Sequence, residues 1–134
     1  MNTPGVLRAV NGTKKVLVIE DDPGMMAILR IKLKHEGLDV AVARNESEAV
    51  LRAESEGPDV SLLDSYLPVS DGAGFITKLR GNAGRPVIVF SFRGEPGTSP
   101  LENQADMFVP VPFDVDRIAR QVRKFCGIER PRRP

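Results

Sequence analysis

The sequence predicts an α/β fold in which helices cover both faces of a doubly wound, five-stranded parallel sheet. Short apolar runs that suit buried strands alternate along the chain with segments whose apolar residues recur at helical spacing. The links between these segments are short and contain Gly, Pro, Asn and Asp. Alternating β and α elements with short links favour βα units with right-handed crossovers, which place the strands in one parallel sheet.

The first two βα units have clear boundaries. An uninterrupted apolar run at residues 16–19 suits a strand covered on both faces, and Asp22-Pro23 suits the N-cap and first position of the next helix. Apolar and polar residues then alternate over residues 38–42, as in a strand. Asn45 and Glu48 resemble a capping box for the second helix, which Gly57 ends.

The later units are less regular. Three further strands are predicted at residues 60–63, 87–90 and 107–111. A short helix carries Phe75 and Leu79, and the last helix begins near Asp114. Pro110 lacks a backbone donor, which places the fifth strand at an edge of the sheet. Between the fourth and fifth strands, four Gly and Pro residues restrict the fourth helix to one or two turns near residues 101–104.

Length and composition limit the class of protein. The chain has 134 residues, a formal net charge of +1 and 41% hydrophobic residues, which predicts a single soluble domain rather than a disordered or strongly basic chain. Cys126 is the only cysteine, and no apolar run reaches the length of about 20 residues that crosses a bilayer. A cytoplasmic protein that makes no membrane contact is therefore expected.

The domain is predicted to span residues 14–126, between a flexible N-terminal tail at 1–13 and a basic C-terminal tail at 127–134. The last helix and this tail carry seven basic residues, Arg117, Arg120, Arg123, Lys124, Arg130, Arg132 and Arg133. Such a charge run is most often a solvated face, and without interleaved aromatic residues it does not predict direct binding to nucleic acid.

Four polar residues follow or end predicted strands. These residues are Glu20, Asp21, Asp64 and Ser91. Because sites in doubly wound sheets form beyond the carboxyl ends of the strands, we expect these side chains to meet in one crevice. Three carboxylates in one crevice repel each other, and hard oxygen ligands favour Mg²⁺. The alternative, that strand-end acids only cap helices, is favoured for Asp22, which precedes Pro23.

The combination of these motifs resembles the receiver domain of response regulators in two-component signalling, and the resemblance extends over residues 14–126. The motifs are Val18-Ile19-Glu20-Asp21-Asp22-Pro23, Asp64 followed by Leu67-Pro68 and Asp71-Gly72, Pro86-Val87-Ile88-Val89 ahead of Ser91, and Pro112-Phe113. The resemblance implies a flavodoxin-like sheet with the strand order 2-1-3-4-5.

The resemblance also implies a phosphorelay function rather than that of an enzyme. Asp64 would accept a phosphoryl group from a histidine kinase or a histidine phosphotransfer protein. Mg²⁺ would be held by Glu20, Asp21, Asp64 and the backbone carbonyl of Tyr66. Ser91 would be the switch hydroxyl, and Phe108 would take the place of the switch aromatic residue.

The family implies an output by protein contact, through the face formed by the fourth helix, the fifth strand and the last helix. A homodimer is left open. No effector domain follows residue 126 in this sequence, so a stand-alone receiver is expected.

The sequence departs from the family at Val111, which stands where the family has a lysine. A lost fixed cation of this kind costs about 3 kcal/mol or more at a transition state. Phe92 replaces the small residue that usually follows the hydroxyl, and its ring at the mouth of the crevice would block the phosphoryl donor or the attacking water. Arg93 has two interpretations: it turns inward and supplies the missing charge, or it is an exposed arginine of the loop.

Two functions from different classes remain open at this point. One is a receiver phosphorylated on Asp64, and the other is a pseudo-receiver that acts as a phosphorylation-independent interaction module. A nucleotide-binding enzyme on the same sheet topology is disfavoured, since the turn after the first strand has no Gly-x-Gly-x-x-Gly motif. An aspartate-based phosphatase would need a second acid at Tyr66.

Overall fold

The computed structural model of the chain describes residues 13–93 and 99–128. The predicted tails therefore lie largely outside the described residues, as do Gly94, Pro96 and Gly97 of the predicted loop before the fourth helix. In the described part of the chain, no helix is long and apolar enough to cross a membrane.

Five parallel strands form one sheet in the order β2-β1-β3-β4-β5, which confirms the predicted fold and strand order. The strands are β1 (Lys15–Ile19), β2 (Asp39–Ala43), β3 (Val60–Asp64), β4 (Val87–Phe90) and β5 (Met107–Val109). The helices are α1 (Pro23–His35), α2 (Glu46–Glu56), α3 (Gly72–Arg80), α4 (Pro100–Gln104) and α5 (Val115–Phe125).

Helix starts follow from local capping. The Asp22 Oδ2 atom accepts a hydrogen bond of 2.8 Å from the amide of Met25, with Pro23 in the first turn of α1. At α2, Asn45 Oδ1 accepts from the amide of Glu48 at 2.9 Å. The Glu48 carboxylate in turn accepts from the amide of Arg44 at 2.7 Å, one residue before the position of a standard capping box.

The fifth strand is shorter than predicted. It ends at Val109, so the predicted extension to Val111 is wrong. The carbonyl of Val109 accepts a 3.0 Å bond from the amide of Ser91, and Pro110 then offers no donor for continued pairing at this edge of the sheet. The short fourth helix is confirmed at Pro100–Gln104, where Ser99 Oγ accepts from the amide of Leu101 at 3.2 Å.

Alternation along the strands divides the core into two layers. Val16, Val18 and Leu62 face one side, where they pack with residues of α1 and α5. Leu17 and Leu63 face the other side, where they pack with residues of α2, α3 and α4. Because each central strand is covered on both faces, its residues read as a continuous apolar run up to the carboxyl end.

Two residues near the C-terminus contribute to the first layer. Arg123 does not lie on a solvated face as expected: it is buried, and its Nη1 donates a 3.0 Å hydrogen bond to the carbonyl of Glu36 at the end of α1. Cys126 is buried in the same layer, and burial raises the pKa of its thiol to about 11. The thiol therefore packs in the core rather than acting as a nucleophile.

We expect Leu29→Ala to lower the free energy of unfolding by about 2–5 kcal/mol, since Leu29 has no exposed surface and its removal leaves a cavity between α1 and the sheet. Urea denaturation followed by circular dichroism measures the change. Ile31→Ala in the same helix is the control, because Ile31 is 67% exposed. Equal losses for the two variants would contradict the layer assignment.

Candidate functional site

The carboxyl ends of three strands bring four predicted site residues to one edge of the sheet. Ile19 pairs with Leu63 in the β1–β3 register. The next residue on each side, Glu20 and Asp64, therefore lies at the carboxyl end of one of two adjacent strands. Ser91 comes directly after β4, next to β3. Backbone bonds hold these positions: the amide of Glu20 donates to the carbonyl of Ala43, and the Ser91 amide to that of Val109, both at 3.0 Å.

The three predicted acids form one cluster. A carboxylate oxygen from each of Glu20, Asp21 and Asp64 lies within 4.8 Å of the others. Glu20 and Asp64 have no exposed surface, whereas the side chain of Asp21 is 39% exposed. The cluster thus has a buried floor of two carboxyl groups and one solvent-facing member.

The electrostatic cost of this arrangement falls mainly on Glu20. Burial, together with the neighbouring Asp64 and Asp21 carboxyl groups, raises the pKa of Glu20 to about 9, although a hydrogen bond from the amide of Asp22 lowers it. That amide donates to Glu20 Oε2 at 3.0 Å. The other oxygen, Oε1, is buried without a hydrogen-bond partner among the described residues.

These residues fit a divalent cation. A buried oxygen without a partner is costly, and a hard cation would satisfy it together with the oxygens of Asp21 and Asp64. Carboxylate oxygens that leave room for water suit Mg²⁺. The predicted fourth ligand, the backbone carbonyl of Tyr66, stays a prediction. The Tyr66 amide, for its part, donates to Asp64 Oδ1 at 2.9 Å and so orients that carboxylate.

The two predicted switch residues occupy different positions relative to the crevice. Ser91 is buried at the strand end, and its hydroxyl donates a 2.6 Å hydrogen bond to the carbonyl of Arg93. Phe108 lies opposite Val89 in the β4–β5 register and packs, half-buried, against the second layer. Their roles as switch residues stay predictions.

Arg93 turns toward the acids, as in the first of its two interpretations. Its Nη2 lies 3.5 Å from Asp21 Oδ1 and 3.5 Å from Asp64 Oδ2. The guanidinium carbon also lies 4.8 Å from the centroid of the Phe92 ring, within the range of a cation–π contact. Val111, at the family's lysine position, presents a half-buried apolar side chain instead.

The packing of Phe92 with two other aromatic rings was missed in the sequence. The ring of Phe92 lies 6.3 Å from that of Phe90 and 6.4 Å from that of Phe113, so it packs against the first layer of the core. The ring therefore supports the guanidinium of Arg93. Phe90 and Phe92 are two residues apart, and in an extended segment that spacing places both side chains on one face. This spacing is the signal that sequence reasoning did not use.

Comparison with known proteins defines the class. Residues 16–123 match the model of the response regulator receiver domain, and the chain belongs to this family. Phosphorylation and Mg²⁺ binding are general features of the family, and its members are signalling modules rather than classical enzymes.

Among curated relatives, the transcriptional regulatory protein KdpE of Staphylococcus aureus is 35% identical over 111 residues, which cover 81% of this chain and 48% of the relative. The chain spans about half the length of the curated relatives it matches.

Two solved structures share the fold. The receiver domain of a sensor histidine kinase from Pseudomonas aeruginosa, with a magnesium ion coordinated in its active site cleft, has a TM-score of 0.72 at 23% identity and covers 86% of this chain and 98% of its own. A chain in the complex of the histidine kinase ThkA with the response regulator protein TrrA has a TM-score of 0.70 at 24% identity, covering 84% of this chain and 98% of its own.

The pKa of Glu20 predicts a pH dependence of stability in the presence of a chelator. Because the pKa is about 9 in the folded protein against 4.5 ordinarily, the folded protein keeps a proton that the unfolded chain releases. The free energy of unfolding should therefore fall as pH rises from about 4.5 to about 9.

Glu20→Gln should flatten this dependence and stabilise the metal-free protein near pH 8 by about 1–3 kcal/mol. Denaturant titrations at several pH values measure both effects, with Glu54→Gln at an exposed position as the control. A variant with the same pH profile as the wild type would contradict the assignment of the proton to Glu20.

Proposed function

We propose that this domain accepts a phosphoryl group on Asp64 from a phosphohistidine of a histidine kinase or histidine phosphotransfer protein. The observation that carries the proposal is the position of Asp64: it is buried, ends β3, clusters with two further acids, and has Ser91 after the neighbouring strand β4. A carboxylate is a competent nucleophile when charge on the transferred group is neutralised.

In the proposed reaction, a carboxylate oxygen of Asp64 attacks the phosphorus atom. The P–N bond to the imidazole breaks, its electron pair stays on the ring nitrogen, and an acyl phosphate forms on Asp64. The amide of Tyr66 holds Asp64 Oδ1 at 2.9 Å, which leaves Oδ2 on the side of Arg93. The neighbouring acids keep the site hydrophilic at its open end, where Asp21 faces solvent.

Glu20, Asp21 and Asp64, with the carbonyl of Tyr66, would hold Mg²⁺ in this proposal. When bound, the ion would neutralise negative charge on the phosphoryl oxygens. The partnerless Glu20 Oε1 and the close approach of the three carboxylates support this ligand set. The magnesium ion of the Pseudomonas receiver domain provides a parallel within the same fold.

The proposed output is protein contact through the face of α4, β5 and α5. In the proposed response, the Ser91 hydroxyl leaves the carbonyl of Arg93 in order to donate to a phosphoryl group on Asp64. Phe108, half-buried in the adjacent edge strand, would respond by rotation of its ring. The short α4 gives this face a different shape from that of a receiver with a longer fourth helix.

Val111 favours a second candidate, the pseudo-receiver that binds its partner regardless of phosphorylation. Without a cation on the β5 side, the acyl phosphate would lack one source of charge stabilisation. The two candidates differ in whether Asp64 becomes phosphorylated and in whether partner binding depends on that phosphorylation.

Incubation with acetyl phosphate and Mg²⁺ should add one phosphoryl group to the wild-type protein, detected by intact-protein mass spectrometry. Asp64→Asn should abolish the labelling, because an amide cannot act as the nucleophile. A chelator should also abolish it.

Asp71→Asn is the matched control for this experiment. Asp71 is exposed and its side chain makes no capping hydrogen bond at α3, so the variant should label like the wild type. Absence of label in the wild type would favour the pseudo-receiver, and label that persists in Asp64→Asn would refute Asp64 as the acceptor.

A further inference from the structure

We propose that Arg93 is a catalytic residue of this receiver, in which it supplies from the β4 side the positive charge that Val111 fails to supply from the β5 side. The inference rests on the proposed phosphorylation of Asp64 and deepens it. Arg93 would contact the phosphoryl oxygens directly, since its guanidinium already faces Asp64 Oδ2, whereas the amide of Tyr66 bonds to Oδ1.

Three contacts hold Arg93 in this position. Its Nη2 lies 3.5 Å from both Asp64 Oδ2 and Asp21 Oδ1. The ring of Phe92 lies under the guanidinium, and that ring is itself packed on Phe90 and Phe113. The backbone carbonyl of Arg93 accepts the hydrogen bond of Ser91. An arginine of an unconstrained surface loop would not combine an ion pair with a packed aromatic support and an anchored backbone.

The geometry leaves room for the group that Arg93 would bind. A distance of 3.5 Å exceeds the range of about 2.7–2.9 Å for a charge-assisted hydrogen bond, so the guanidinium is near the carboxylate without being locked to it. The side chain is 46% exposed and can follow an oxygen that lies further out. A planar guanidinium can also donate to two phosphoryl oxygens at once, which a lysine ammonium does less well.

The charge balance at the site supports the same role. Three carboxyl groups already meet here, and a phosphoryl group carries about two negative charges at neutral pH. Val111 contributes no charge from the end of β5. Arg93 is the basic side chain that the structure places against both Asp21 and Asp64.

In the same position, Arg93 would compete with the metal ion for Asp21. Asp21 is a ligand in the proposed Mg²⁺ site, and the guanidinium pairs with its Oδ1 in the metal-free structure. A divalent cation on Asp21 would therefore be repelled by this guanidinium, while the contact with the Asp64 side stays available for the phosphoryl group. Removal of Arg93 should consequently change metal binding and phosphorylation in opposite directions, a pattern that a merely structural residue would not produce.

The test compares Arg93→Gln, Arg93→Lys and the double variant Arg93→Gln with Val111→Lys. Labelling uses acetyl phosphate with saturating Mg²⁺: an oxygen of Asp64 attacks phosphorus, and the bond from phosphorus to the acetyl oxygen breaks with its electron pair on acetate. Mg²⁺ affinity is measured separately, from amide chemical shifts in NMR titrations without any phosphoryl donor.

Arg93→Gln should label about ten- to a hundred-fold more slowly than the wild type, because one electrostatic donor is lost. It should bind Mg²⁺ about two- to five-fold more tightly, since a competing positive charge is gone. Arg93→Lys should label at a rate between those of the wild type and Arg93→Gln, because it keeps the charge but loses the second donor. The double variant should recover labelling, because the charge returns from the other side of the crevice.

Arg30→Gln is the matched control. Arg30 lies with Asp21 in the groove beside α1, has an exposed side chain, and is not paired with Asp64, so this variant removes the same charge near the site without the proposed contact. It should label like the wild type. Circular dichroism of each variant verifies folding.

Equal labelling rates for the wild type and Arg93→Gln would overturn this inference and leave the proposed function standing. Slower labelling together with weaker Mg²⁺ binding would also overturn it, as that result indicates a disturbed site. No labelling of the wild type or of any variant would refute the proposed function itself, and tighter Mg²⁺ binding by Arg93→Gln would then support only the contact with Asp21.

Discussion

Glu20 and Asp64 lie without exposed surface at the ends of adjacent parallel strands, and Asp21 lies beside them. The repulsion between these three acids is the constraint on the rest of the site. Parallel pairing in register forces this proximity, since the strands deliver their carboxyl ends to one edge of the sheet. The amide of Asp22 bonds to Glu20 and the amide of Tyr66 to Asp64. The remaining repulsion between the carboxylates is reduced by a proton on Glu20, by a guanidinium or by a divalent cation.

The positive charge beside the acids comes from the segment that follows β4. Val111 removes a cation from one side of the crevice, and Arg93 brings one from the loop after β4. Phe92 supports this arrangement, because its ring packs on Phe90 and Phe113 and lies against the guanidinium. The same loop carries the acceptor of the Ser91 hydroxyl, so charge stabilisation and the proposed switch depend on one short segment.

The fold and most of the acidic site could be predicted because they depend on local signals. Helix starts at Asp22 and Asn45 rest on hydrogen bonds that span three residues, and such bonds leave a pattern in the sequence. The end of β5 was predicted two residues too late, since pairing at an edge depends on a single neighbouring strand and stops at Pro110. Arg123 was expected to face solvent, but its partner Glu36 lies 87 positions away along the chain.

The sequence by itself determined the α/β class, the strand-end position of the acids and the family resemblance, because periodicity and capping are encoded between near neighbours. The tertiary structure decided where Arg93 turns, which carbonyl Ser91 bonds to, and how strongly burial raises the pKa of Glu20. Each of these depends on distances between segments far apart in the chain, such as the 29 positions that separate Arg93 from Asp64. Burial and electrostatic balance are set only when those segments meet.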